Sequence, residues 1–311
     1  MQIQKGSKKI DFAVGGQAVI EGVMMRSPDK IVIAVRKPNK TIKTSEKFYH
    51  TLTQRFKFLN IPFLRGIINL FEMMIVGMEA INFSANESLD DEKGSFEKQK
   101  TKFSYKIVNA LMFTLSFIVA IGLTITLFKY LPLEIATVLE NKFEFIKNNY
   151  IIFNLIDGVI KITFFVAYIY TLSLIPSFRR IFEYHGAEHK SIFTYEKGLS
   201  LTVENAKKQP RFHPRCGTSF ILIVFLISIV IYTFVPRQEE FYQNLIMRIA
   251  LLPLIAGISY EYLKISAKFA NSLIAKALIA PGLWLQRITT KEPDEHQLEV
   301  ALTSLKKSLS D

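Results

Sequence analysis

Three of the five histidines of this chain lie with its single cysteine inside 32 residues, from 185 to 216. His185 and His189 are four positions apart in a helix-like segment, and Glu188 follows the first histidine by three. Positions i and i+4 share a helix face, so both imidazoles can point at one metal ion. A carboxylate on the adjoining face can polarise metal-bound water. The segment therefore predicts a metal site with Glu188 as general base.

The pattern H-x-x-E-H also occurs in the inverted zincin metallopeptidases, where two histidines bind zinc and the glutamate is the base. His213 and Cys216, three residues apart, add an imidazole and a thiol that can reach the same ion. Four protein ligands would make a zinc site structural, whereas three ligands and a water would leave it open for catalysis. A plainer interpretation is that the histidines hydrogen-bond to loop carbonyls and Cys216 is a small apolar residue.

A glycine-rich segment near the N-terminus carries Glu21 and Arg26 between residues 15 and 26. Its glycine spacing fits neither a dinucleotide-binding fingerprint nor a phosphate loop. A structural hairpin is one interpretation. The other is that Glu21 is a further metal or water ligand and Arg26 an anion clamp, a role for which Arg215 is a second candidate.

Four apolar stretches must position these residues, and they predict about four transmembrane helices. Residues 107–128 and 217–235 contain no charge and are long enough to cross a bilayer. Residues 151–175 contain Asp157 and Lys161, whose spacing of four predicts a pair that faces the helix bundle. Residues 245–263 are interrupted by Pro253, which membrane helices tolerate.

The distribution of Lys and Arg predicts that both termini and the central loop are cytoplasmic. Residues 1–106 carry 18 of them, 176–216 carry eight and 264–311 carry seven, whereas 132–150 carry two and 237–244 carry one. The net charge of +12 suits anionic headgroups. We expect no nucleic-acid partner, because no nucleic-acid-binding motif accompanies the basic residues.

The remaining segments complete the expected organisation. Residues 1–60 predict a small cytoplasmic β-rich unit, and 61–106 an amphipathic helix followed by a charged linker. The helix is expected either to lie at the membrane interface or to line the bundle, and the plainer interpretation is an amphipathic surface helix. Residues 107–263 are expected to form the bundle, with a cytoplasmic loop at 176–216. Residues 264–311 are expected to form a basic, helical cytoplasmic tail.

The motifs GGQAVIEGVMMRSP, PFLRG, EYHGAEHK and HPRCGTSF, in this order, resemble those of the YqhQ-type family of bacterial membrane proteins. That family is grouped as a domain of unknown function and described as a predicted metal-dependent enzyme. The resemblance implies a bacterial membrane location and a divalent metal. It also implies that the residues at the matching positions are functional: Glu21, Arg26, Arg65, His185, Glu188, His189, His213 and Cys216.

We therefore expect a mainly α, polytopic protein of the bacterial cytoplasmic (inner) membrane, with a small β-rich N-terminal unit. The expected function is a metal-dependent hydrolase, with Zn²⁺ as the expected ion, held by His185, His189 and either His213 or Cys216. The substrate would be a lipid, a membrane-anchored peptide or an anionic metabolite, held by Arg26, Arg65 or Arg215. A transporter and a scaffold with structural zinc are the alternatives, and the protein could form a homo-oligomer.

Overall fold

A computed structural model describes residues 14–89, 102–236, 238, 240–268 and 273–310 of the chain. These residues form a mainly helical protein with one antiparallel sheet at the N-terminal end, which confirms the predicted β-rich element. The strands pair in chain order: β1 (Gly15–Val19), β2 (Gly22–Arg26), β3 (Lys30–Arg36) and β4 (Ile42–Phe48).

Thirteen α-helices lie in the described part of the chain. Before the first apolar stretch come α1 (Leu52–Arg55) and α2 (Leu64–Leu89). The apolar stretches and the segment between them hold α3 (Lys102–Ile125), α4 (Leu131–Lys142), α5 (Glu144–Lys147), α6 (Tyr150–Leu174), α7 (Pro176–Glu196), α8 (Val203–Lys207), α9 (Gly217–Tyr232), α10 (Phe241–Ala250) and α11 (Leu252–Lys268). The last two helices are α12 (Leu273–Thr289) and α13 (Glu295–Leu309).

The sheet is covered on both faces, which explains why the central residues of β2 and β3 are apolar on both sides rather than alternating. On one face, Val23 and Met25 pack against α7, α8 and α13, in a core that includes Tyr184 and Leu302. On the other face, Met24 and its neighbours pack against Val76 and Ala80 of α2. The N-terminal strands, the segment of α7 and α8, and the C-terminal helix therefore share one hydrophobic core.

Two helical segments are long and apolar enough to cross a membrane, namely Thr114–Lys142 and Tyr150–Leu174. A third counts if Phe241–Ala250 and Leu252–Ser266, which are bent by 41° at their junction, form one span. Gly217–Tyr232 is apolar but only 16 residues long, about 24 Å of helix. In the part of the chain that is described, two or three of the four expected segments therefore have the length and composition of a span, and the one at 217–235 is apolar but shorter.

The span boundaries differ from the predicted ones for local reasons. The first helix does not end near residue 128, because a π-helical turn at Thr126–Tyr130 continues it into α4. The same turn directs Lys129 into the protein. The segment expected at 245–263 is broken because Pro253, near the start of α11, has no N–H with which to continue the hydrogen bonds of α10. The predicted span at 151–175 agrees with α6 within one residue.

Asp157 and Lys161 pair on one face of α6, which confirms the expectation from their spacing. Arg248 of α10 contacts the same carboxylate, and Lys129 Nζ lies 3.2 Å from the hydroxyl of Tyr232 on α9. All four charged side chains are buried. Because charges removed from water need partners, this network links α6, α9 and α10 inside the helical part.

The amphipathic helix predicted after residue 61 is α2, which begins at Leu64. Its charged stripe faces other parts of the protein: Arg65 binds Glu261 of α11, Glu72 accepts from the Tyr49 hydroxyl at 3.0 Å, and Glu79 pairs with Lys47. The centre of the charged linker, residues 90–101, lies outside the described residues.

Replacing Gly186 by Ala is expected to destabilise the fold. An added Cβ would lie 2.1 Å from the backbone oxygen of Lys291, in a segment whose Lys291 N–H donates to Phe182 O at 2.8 Å. Moving that backbone should cost about 1–3 kcal/mol, measured by thermal unfolding in detergent. Gly122→Ala is the control, because nothing lies within 4 Å of its added Cβ. Equal melting temperatures for the two variants would contradict this close packing.

Candidate metal centre

Helix α7 places the H-x-x-E-H residues on the inner side of the protein. Pro176 occupies its first turn after the extended Ile175, so the chain leaves α6 and enters a new helix. Gly186 and Ala187, between the two histidines, are buried where the segment after α12 passes over α7. Small residues are required there for this close approach.

Both histidines of α7 are oriented by backbone carbonyls. His185 Nδ1 lies 2.8 Å from the carbonyl oxygen of Thr289, and His189 Nδ1 lies 2.5 Å from that of Arg211. A carbonyl can only accept, so each Nδ1 carries the proton and each Nε2 keeps its lone pair. His189 is 1% exposed, and its Nε2 is buried beside Glu188 and Cys216.

Cys216 completes a group of three potential ligands. Its Sγ lies 3.2 Å from His185 Nε2, and the ligand atoms of His185, His189 and Cys216 all lie within 4.8 Å of one another. Cys216 is buried immediately before α9 and also contacts the Thr218 hydroxyl at 3.1 Å. Two imidazole nitrogens and a sulfur around one point are a donor set typical of zinc or another soft divalent metal.

Glu188 faces the same point. One carboxylate oxygen lies 3.6 Å from His189 Nε2 and 3.9 Å from His185 Nε2, and the Gly16 backbone hydrogen-bonds to this carboxylate. Burial raises the pKa of Glu188 above its usual value. An added Cβ at Gly16 would lie 2.5 Å from Met24 O and 3.1 Å from the Glu188 side chain, so glycine permits the approach of β1 to α7.

His213 lies beside the group, but its ring nitrogens make other contacts. Its Nδ1 accepts from the backbone N–H of Arg215 at 3.2 Å, and its Nε2 lies 3.3 Å from a carboxylate oxygen of Glu196. Arg215 contacts the same carboxylate. Of the two residues considered for the third ligand position, the geometry therefore favours Cys216 over His213.

These residues line a cavity of about 570 Å³ between β1, α7 and the start of α9. Arg26, at the end of β2, also lines it. The Arg26 guanidinium lies 3.0 Å from Met73 Sδ and stacks over the Tyr49 ring at 5.6 Å, and within the described residues no carboxylate pairs with it. Arg26 and Arg215 thus line the same cavity as the histidines and Cys216, and their contact with a substrate stays a prediction.

Two other predicted site residues lie elsewhere. Glu21, in the turn between β1 and β2 with φ 51°, binds Arg180 with both carboxylate oxygens and lines a separate cavity with Arg36. Arg65 forms a two-point contact with Glu261 that joins α2 to α11. The structure does not bring either residue to the histidine cavity.

Several residues that shape the site carry no recognisable sequence signal. The Gln286 side chain accepts from the backbone N–H of His213 at 2.7 Å and donates to its carbonyl at 2.8 Å, which holds the loop before Cys216 on α12. Thr289, one turn later, supplies the carbonyl that orients His185. Both act from a helix about 70 to 100 residues further along the chain.

The geometry passes a simple test for metal binding. Hydrogen bonds from Nδ1 to loop carbonyls would also be found for histidines with a purely structural role. The atoms that distinguish a metal site are therefore Nε2 and Sγ, which converge beside Glu188. Burial lowers the pKa of His189, which favours the neutral imidazole that a metal requires. Histidine ligands whose other nitrogen donates to a carbonyl are characteristic of metal sites.

The fold and site define a helical protein with two or three membrane-compatible segments, a small sheet and a buried histidine–cysteine group. The chain belongs to the DUF1385 family, described as a protein of unknown function, whose model matches residues 61–311. It is 36% identical over 310 residues to the "Uncharacterized protein YqhQ" of Bacillus subtilis (strain 168), covering 97% of this chain and 93% of the relative. No solved structure matches significantly.

We expect the pH dependence of stability to report the neutral state of His189. Its folded pKa lies below the unfolded value of about 6.5, so as the pH falls below 6.5 the unfolded chain takes up a proton first. Folding stability is then lost, by up to about 1.4 kcal/mol per pH unit. In EDTA-treated protein, the unfolding free energy of the wild type should fall relative to His189→Asn between pH about 7.5 and about 5.5. A constant difference would contradict a neutral, buried His189.

Proposed function

We propose that this protein is a metal-dependent hydrolase of the bacterial cytoplasmic membrane, with its site on the cytoplasmic side. The observation that supports it best is the convergence of His185 Nε2, His189 Nε2 and Cys216 Sγ beside the Glu188 carboxylate in one cavity. Three ligands with room for a fourth group are typical of catalytic rather than structural zinc.

The proposed topology rests on the shared core. β2, α7 and α13 pack together, so an even number of crossings must separate residue 26 from 176 and residue 196 from 295. We assign one hairpin to α3–α4 and α6, and another to α9 and the bent pair of α10 and α11. This arrangement makes the protein multi-pass with both termini cytoplasmic, in agreement with the Lys and Arg distribution.

The proposed roles follow from the positions of the side chains. A bound Zn²⁺ would supply Lewis acidity and lower the pKa of a water ligand. Glu188, buried and close to both Nε2 atoms, is the candidate to accept a proton from that water. Arg26 would hold negative charge on the substrate, because within the described residues it has no carboxylate partner.

Two alternatives have a specific observation behind them. Glu188 lies close enough to both histidines to act as a fourth ligand, which would close the site and make it structural. The buried pair of Asp157 and Lys161 is the kind of group that a transporter moves with its substrate. Arg248 contacts Asp157 as well, so this network also serves the packing of α6 against α10.

Metal content is the first test of the proposal. Wild-type protein purified in detergent without chelators should contain about one zinc or other transition metal per chain, read by elemental analysis. His185→Ala, His189→Ala and Cys216→Ala should each lose most of it, because each removes one of three converging ligands. His50→Ala is the matched control, since His50 is exposed and lies in the sheet region. Metal-free wild type, also after metal is added back, would refute the proposal.

Cobalt-substituted protein can show whether Glu188 acts as a base or binds the metal as a ligand. We expect Glu188→Gln to keep one cobalt per chain and an unchanged visible spectrum, because a base outside the coordination sphere leaves the ligand field intact. Cys216→Ser should lose the sulfur-to-cobalt charge-transfer band. A changed spectrum for Glu188→Gln would instead identify a fourth ligand and favour the structural zinc.

A further inference from the structure

An apolar groove of about 350 Å³ lies between α2, α9 and α11. Its lining contains no charged or amide side chain, and its residues are Ile67, Leu70, Phe71, Phe220, Ile221, Val224, Leu252, Pro253 and Ala256. Leu70, Phe71 and Ile221 are 41 to 57% exposed. The helices that form this groove include two that the proposed topology places in the membrane.

The groove and the histidine cavity are lined by successive turns of the same helices. On α9, Gly217 lines the cavity, and Ile221 and Val224 line the groove four and seven residues later, which is one helix face. On α2, Met73 lines the cavity and Leu70, three residues earlier, lines the groove. A molecule that extends along this face would meet a polar site at one end and an apolar groove at the other.

The polar end offers a cation at the border. The Arg26 guanidinium contacts Met73 Sδ at 3.0 Å, so it lies beside the helix turn that separates cavity from groove. Arg215 lines the same cavity. Arg215 is already paired with Glu196, so the Arg26 guanidinium is the group that suits a phosphate near the histidines.

The apolar end favours a hydrocarbon chain over a peptide. A bound peptide would bring backbone N–H and C=O groups into a groove whose side chains offer them no partner, and each such group is costly to bury. An acyl chain carries no polar group, and a groove open to the bilayer is accessible to it by lateral diffusion.

We propose that the groove holds an acyl chain of a phosphate-bearing lipid whose headgroup lies in the histidine cavity. This inference rests on the proposed function, because it names the substrate class of that same site. The lipid would enter from the bilayer between α2 and α9, with Arg26 binding its phosphate. A soluble anion would leave the groove without a role, and the phosphate-binding Arg26 favours a phosphate-bearing lipid over an anchored peptide.

The test uses the full-length, zinc-loaded protein in nanodiscs of phosphatidylcholine containing phosphatidic acid with a photoreactive diazirine in its acyl chain. After illumination, mass spectrometry should locate the label on α2 and α9 at the groove. Added phosphatidic acid should compete with the probe, and added phosphatidylcholine should not. Metal content is measured on the same sample.

Val224→Trp fills the groove and should reduce competable labelling at least about tenfold, equivalent to about 1.4 kcal/mol of binding. Val230→Trp is the matched control, because Val230 lies on the same helix, is 58% exposed and does not line the groove. Arg26→Gln should remove the preference for phosphatidic acid over phosphatidylcholine while label still reaches the groove.

The inference would be overturned by equal labelling of the two tryptophan variants, or by equal competition from both lipids in the wild type. In either case the metal data could still support the hydrolase. Selective labelling of a wild type that binds no metal would have the opposite meaning, because it would support the lipid site and refute the hydrolase. The two proposals therefore fail independently.

Discussion

Two hydrogen bonds, from the Nδ1–H groups of His185 and His189 to backbone carbonyls, determine what the rest of the site can do. Each bond selects the tautomer and turns the Nε2 lone pair towards Cys216 and Glu188. The carbonyls belong to Thr289 and to Arg211, which lie on different segments of the chain. Both segments must therefore be in place before the two imidazoles can share one ligand position.

The hydrophobic core around the sheet holds these segments together. α7 packs on β1 and β2 and beside α13, so the histidine helix shares one core with the first and the last described elements. Gly16 and Gly186 are the two points where backbone approaches that helix most closely. The apolar residues of β2 and β3 thus serve the site indirectly, because they form the core on which α7 packs.

The sequence predicted the local part of this arrangement and missed the distant part. The spacing of His185 and His189 is sufficient to put them on one helix face, and the charge spacing of Asp157 and Lys161 predicted their pair. Nothing in the sequence indicates that Gln286 and Thr289 reach the site, because tertiary packing brings them there. Glu21 looked like a ligand by type, but the tight turn directs it to Arg180. Hydropathy misplaced two span boundaries. At Lys129 the burial and pairing of a charged side chain override it, and at Pro253 the missing backbone N–H does.

The carbonyl that orients His185 is supplied from close to the end of the chain, and this has a consequence for biosynthesis. Translation produces α7 about 100 residues before Thr289, so the nascent protein carries its histidines for several seconds without the contact that orients one of them. The α12 segment and α13 must then pack over α7. The geometry of the histidine–cysteine group is thus completed late, when the long apolar helices have already been synthesised.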